Sequence, residues 1–322
     1  MINFINYTST ILSGIKIKEV HLYKKEYLND ICIKFFGDIK TSKNVFICLH
    51  GMGGTKESRY ITYLSNSLIN EFGKDLSFIT YDMPGVGESV KSQNFWGIQQ
   101  HLVDVYIDDI IEWILKQNKD ISIFIAGFSA SANSLIYYLT DDGYSVKNKL
   151  KDKITHSILV SPTGDAIETL EWIDKFSLFA MYIATYHTYS QINYLLKNFK
   201  LIEFFNFLKE GKFLIFKSAL ISNTLLSGNN KYKINFNCNI KNCDIILSKY
   251  DPITNYDITM KLLNNLNNLN YIECNLGGHV GIIIQQKVKN HIINLINEKN
   301  NLKKNKKIDE QTIVEEYINQ EY

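Results

Sequence analysis

Residues 121–139 read Ile-Ser-Ile-Phe-Ile-Ala-Gly-Phe-Ser-Ala-Ser-Ala-Asn-Ser-Leu-Ile-Tyr-Tyr-Leu. The opening run is short and rich in Ile and Phe, the mark of a strand buried on both faces. From Ala130 to Leu139 the pattern is helical. Between the two, Gly127-Phe128-Ser129-Ala130-Ser131 leaves no room for a loop, so the chain must turn sharply at Ser129. A serine at such a turn projects its Oγ above the sheet, and small flanking residues let the chain make the turn. The helix behind it offers backbone N–H groups and a positive dipole end to a developing oxyanion. Alone, G-x-S-x-small is a weak pattern, and its serine could be an ordinary helix N-cap. The strand before it and the helix after it make it specific.

Outward from this stretch, strand-like and helix-like runs alternate from about residue 16 to residue 298. Residues 16–24 and 30–37 read as an opening antiparallel pair. Buried strands are expected at 44–50, 76–82, 156–162, 243–249 and 270–276, short runs that together are rich in Ile, Val and Phe. Helices are expected at Tyr60 to Phe72, Ile98 to Gln117, Asn255 to Leu269 and Gln285 to Glu298, with the charges of Ile98 to Gln117 on a solvated face. Such alternation specifies an α/β chain with a mostly parallel central sheet flanked by helices. Residues 165–235 break it. They are apolar, aromatic and helical in pattern, as expected of a cap inserted over the C-terminal edge of the sheet. The expected organisation is therefore a core of residues 1–164 and 236–298, a helical cap at 165–235, and a charged tail at 299–322. No internal repeat is visible.

Composition narrows the function. Lys+Arg 35 against Asp+Glu 33 gives a net charge of +2, too balanced for phosphate-driven nucleic-acid binding. Cys32, Cys48, Cys238, Cys243 and Cys274 are odd in number and lack CxxC spacing, so neither a disulfide framework nor a metal site is expected. The first residues lack a basic segment followed by an apolar one, and no signal peptide is expected. Residues 176–196 carry no Asp, Glu, Lys or Arg, but their Ser, Thr, Tyr, His, Gln and Asn make membrane spanning expensive. A cytoplasmic protein without a transmembrane segment is expected, with peripheral lipid contact through the cap. Arg59 is the only arginine, and the 3 Pro and 17 Gly stand out in a chain rich in Ile, Asn, Lys and Tyr. Pro84, Pro162 and Pro252 therefore mark places where the backbone requires them.

These features resemble the α/β-hydrolase superfamily over roughly residues 16–298, and within it the capped serine hydrolases of the monoacylglycerol-lipase-like and YheT-like groups. His50-Gly51-Met52-Gly53-Gly54 is similar to the superfamily's oxyanion loop. Asp82-Met83-Pro84-Gly85-Val86-Gly87-Glu88-Ser89 is similar to its D-x-x-G-x-G-x-S loop. Ser131 departs from the usual glycine at the end of the elbow. The resemblance implies a triad in the order Ser129, Asp251, His279. Asp251 precedes Pro252 after the strand at 243–249, and His279 lies in Gly277-Gly278-His279-Val280-Gly281. Asp165, Asp244 and Asp257 are the competing acids. Backbone N–H groups of Met52 and Ala130 would form the oxyanion hole, with His50 and Gly51 supporting that loop. His101 reads as a surface or helix-capping residue, and His187 as a packing residue of the cap.

The implied activity is hydrolysis of a carboxylic ester or thioester with a hydrophobic acyl group, through an acyl-enzyme. No cofactor is implied, because Walker A and Rossmann glycine patterns are both lacking. Two alternatives stand beside it: an acyltransferase or thioesterase of lipid or secondary metabolism, and a non-catalytic ligand-binding protein on the same fold.

Overall fold

The computed structural model describes residues 3–12, 15–24, 29–51, 54–82, 87–89, 101–139, 150–162, 239–251, 256–263, 267–275, 279 and 281–301. Nine strands are described: β1 (Asn3–Leu12), β2 (Ile15–Lys24), β3 (Asn29–Phe36), β4 (Asn44–Leu49), β5 (Leu76–Tyr81), β6 (Ser122–Phe128), β7 (Ile154–Val160), β8 (Asn239–Ser248) and β9 (Asn267–Cys274). They form one sheet in the order β1-β2-β3-β5-β4-β6-β7-β8-β9. The pairs β1–β2, β2–β3 and β3–β5 are antiparallel, and every pair from β5 to β9 is parallel. This is the mostly parallel sheet that strand–helix alternation requires.

The connecting helices are α1 (Arg59–Phe72), α2 (His101–Gln117), α3 (Ala130–Leu139), α4 (Tyr256–Leu263) and α5 (286–301). Alternation along each strand assigns them to faces. Val45, Ile47 and Leu49 of β4 pack with Tyr106, Ile110 and Ile114 of α2 and with Leu135 and Ile136 of α3. Phe46 and Cys48 of the same strand pack with Ile61, Leu64 and Leu68 of α1 and with Val288, Ile292 and Ile296 of α5. Every residue of β4, β5 and β6 is buried, which is why those segments are continuously apolar in sequence.

The chain runs from β4 through α1 to β5 on one side, then returns through α2 to β6 on the other. The strand order thus reverses at β4, and the C-terminal ends of β4 and β6 mark the switch point at which open α/β sheets place their sites.

The structure corrects several expectations. A first strand, Asn3–Leu12, precedes the expected opening pair and caps the antiparallel edge. The helix expected to run to Leu269 is described as α4 only to Leu263, and β9 begins at Asn267, where Leu269 pairs with Cys243 of β8. β8 starts at Asn239, four residues earlier than expected, by way of a register shift before Cys243 and a left-handed Asn242 (φ 50). The charges of α2 do not all face solvent. Asp108 is buried, accepting the Tyr138 hydroxyl of α3 and the Leu150 N–H at 3.3 Å. The expected cap, 165–235, lies outside the described residues, as do Cys238, His187 and residues 302–322.

Candidate active site

β6 hands the chain directly to α3 through Ser129, whose φ of 55 lies in the left-handed region. That single residue reverses the chain without a loop, and two bonds pin it: its N–H donates to Val160 O at 2.8 Å, and its carbonyl accepts Asn133 N–H at 3.2 Å. Gly127 is dictated by the same turn. A Cβ there would lie 2.7 Å from Ser131 O and 2.9 Å from Ala132 N, closer than real Cβ atoms approach. At Gly51, a Cβ would meet Phe128 O at 3.1 Å and Ser129 Cβ at 3.2 Å, so the loop after β4 passes hard against the elbow.

Asp251 follows β8 and His279 follows β9, both at the same edge of the sheet as Ser129. His279 Nδ1 is 2.7 Å from Asp251 Oδ2, and its Nε2 is 2.7 Å from Ser129 Oγ. With Nδ1–H donating to the carboxylate, the Nε2 lone pair faces the serine hydroxyl. The Asp251 side chain is 3% exposed and that of His279 9%, so the carboxylate is shielded while the imidazole remains reachable from the sheet edge.

The competing acids sit elsewhere. Asp257 is exposed on α4. Asp244 is buried on the face covered by α5, where it accepts His291 Nε2 at 2.6 Å and Asn270 Nδ2 at 3.0 Å, with His156 Nε2 at 3.1 Å. Burial raises the Asp244 carboxyl, but the two histidines and Asn270 outweigh it and hold the group well below the usual carboxylate range. Asp165 lies outside the described residues.

The His50–Gly51 segment after β4, expected to support an oxyanion loop, is tied to the elbow on several sides. His50 is buried and donates Nδ1–H to Gly51 O at 2.8 Å. Burial is the dominant influence on its imidazole and lowers its proton affinity; Asp82 and the Gly51 carbonyl oppose this, and Lys56 adds to it. Gly51 N–H donates to Tyr60 Oη at 3.0 Å, and the Tyr60 ring packs on Phe128 with centroids 4.8 Å apart. Ser131, the departure from the usual glycine, is buried and donates its hydroxyl to His50 O. The serine therefore knits the elbow helix to the segment that follows β4. Tyr60 was not among the expected site residues, since a tyrosine in an apolar helix reads as core. Ala130 is the first residue of α3, Met52 lies outside the described residues, and His101 opens α2.

No group of three His, Cys, Asp or Glu among the described residues is arranged to hold a metal ion. Cys32, Cys48, Cys243 and Cys274 are buried free thiols. No described helix is long and apolar enough to cross a membrane.

Sheet order, the strand–Ser129–helix elbow and the switch point together define the α/β-hydrolase fold. Solved structures agree. An esterase from Pyrococcus furiosus superposes with a TM-score of 0.57 at 13% identity, over 92% of this chain and 98% of its own. An esterase from Exiguobacterium antarcticum gives 0.57 at 14% identity, over 86% and 98%. An α/β-hydrolase enzyme from a Medee basin deep-sea metagenome library gives 0.52 at 15% identity, over 84% and 94%. At such identities the likeness is one of fold. No protein-family model and no curated protein matches the sequence.

Proposed function

We propose that the chain is a serine hydrolase acting on a carboxylic ester or thioester with a hydrophobic acyl group. One observation carries this reading: Ser129 Oγ, His279 and the Asp251 carboxylate form a continuous hydrogen-bonded relay at the switch-point edge of the sheet. Ser129 Oγ attacks the substrate carbonyl carbon while His279 Nε2 takes its proton. The carbonyl oxygen becomes an oxyanion facing the backbone N–H groups of Met52 and Ala130. Collapse expels the alcohol or thiol, which leaves with the proton from His279, and Ser129 keeps the acyl group. Water then attacks, its proton passing to His279 and back to Ser129 as the acid departs. Asp251 holds the imidazole in the working tautomer and stabilises the imidazolium.

The hydrophobic acyl preference rests on the apolar, aromatic segment 165–235, and the ester class is supported by the naming of two similar structures as esterases. Placement among the monoacylglycerol-lipase-like or YheT-like groups rests on the loop motifs alone. The Ser131 hydroxyl is engaged with the His50 carbonyl, which supports a structural role for this departure from glycine. Buried free thiols suit a reducing, cytoplasmic setting.

The test is covalent. A fluorophosphonate should add to Ser129, located by peptide mass, and should abolish ester hydrolysis in proportion to labelling. Folded protein that resists the probe would overturn the reading.

A further inference from the structure

The loop from Asp82 to Ser89 has no part in the chemistry above, yet its charged groups are buried against the neighbouring loop. Lys56 and Asp82 have fully buried side chains, and that of Glu88 is 14% exposed. Lys56 Nζ donates to Asp82 Oδ2 at 3.0 Å and to Glu88 Oε2 at 2.7 Å. The Lys56 backbone N–H reaches Asp82 Oδ1 at 2.6 Å, and the Glu88 N–H reaches Asp82 Oδ2 at 2.9 Å. The Ser89 hydroxyl donates to Asp82 O at 2.8 Å and accepts Cys32 N–H at 2.8 Å. Cys32 Sγ–H completes the cluster, donating to Glu88 Oε2 at 3.1 Å.

Burying an ammonium between two carboxylates costs desolvation that their attraction roughly cancels, so stability is a poor reason for such a cluster. Fixed geometry is a better one. The segment from His50 to Lys56 is tied to the elbow and α1 at its start, through Ser131 and Tyr60. At its end, the Lys56 side chain and backbone both close on Asp82. The proposed oxyanion donor, Met52, falls between those two anchors in sequence. An oxyanion donor is effective only where it is held in place before the charge develops.

We infer that Lys56 is a positioning residue for the oxyanion loop, clamping it through Asp82 and Glu88 of the neighbouring loop. This rests on the serine-hydrolase reading. The test uses the full chain, p-nitrophenyl butyrate as substrate and a trifluoromethyl ketone as a mimic of the tetrahedral intermediate. For Lys56→Met, kcat per fluorophosphonate-titrated site should fall about 100-fold, the scale of a misplacement of about 1 Å. KM should stay within about twofold, and ketone affinity should fall by about the same factor as kcat/KM. A lysine that merely supports the fold would lower Tm and the titratable fraction, leaving kcat per site and ketone affinity at wild-type values. That result overturns the inference. Glu88→Gln keeps the shape and removes one charge, so it answers the question even if Lys56→Met does not fold. It should lose about tenfold in kcat at unchanged KM, and wild-type kcat overturns the inference. If the wild-type chain neither hydrolyses the ester nor is labelled at Ser129, the hydrolase reading has failed and the inference falls with it. An active wild type with undiminished variants fails the inference alone.

Discussion

Asp251 illustrates how a residue is chosen by its surroundings. Asp257 lies six residues on, with the same carboxylate, but stands exposed on α4, whereas Asp251 is 2.7 Å from His279 Nδ1. Asp251→Asn preserves the shape and presents an amide to the ring, favouring the tautomer whose Nε2 already carries a proton. Hydrolysis of p-nitrophenyl butyrate should then fall on the order of 10⁴-fold in kcat. Asp257→Asn should leave the rate unaltered. Ser129, Asp251 and His279 could be picked out because each has a local signature: a strand–Gly–Ser–helix junction, a following proline and flanking glycines. Lys56, Asp108 and Asp244 have none. Lys56 meets Asp82 at a separation of 26 residues, and Asp244 meets His291 at 47. In sequence a charged residue without a local partner reads as solvated, and only tertiary structure reveals the groups that bury it.

At the scale of elements, the junction between β6 and α3 admits no side chain at position 127. The Cβ of Gly127→Ala would press on Ser131 O, Ser131 C and Ala132 N at 2.7 to 2.9 Å, all of them backbone that cannot rotate away. The variant should lose about 1–3 kcal/mol in urea unfolding, the usual cost of overpacking. Its reaction with fluorophosphonate should slow, because relief of the clash moves Ser129 relative to His279. β4, β5 and β6 were legible because burial on both faces makes them continuously apolar, whereas β9, expected as a buried strand, lies at the sheet edge and exposes Asn270, Tyr271 and Glu273. Leu262, Leu266 and Leu269 continue a helical spacing in the sequence, but the pairing of Leu269 with Cys243 of β8 places Leu269 in the strand. β1 mixes Asn, Tyr, Thr and Ser with its apolar residues, and only its partnership with β2 makes it a strand.

At the scale of the whole molecule, Asp244 joins β7, β8, β9 and α5 through His156, Asn270 and His291. Its carboxyl titrates below its unfolded value, so the folded state is favoured while the group is charged. That contribution is present above about pH 4, the ordinary carboxylate value, and is lost as the pH falls through the folded-state value. Asp244→Asn should therefore destabilise the protein by about 3–5 kcal/mol at pH 7. The gap from wild type should shrink as urea unfolding is repeated at successively lower pH below about 4. A gap independent of pH would show that packing rather than charge links these elements.

The relay at the sheet edge joins Ser129 to a histidine 150 residues further along the chain. A ribosome therefore synthesises Ser129 long before the imidazole that pairs with it. Until β8 and β9 have added to the sheet, the nascent polypeptide carries an ordinary alcohol at Ser129, without the imidazole and carboxylate that the folded sheet brings to it. The three groups meet only once the last strand of the sheet is in place.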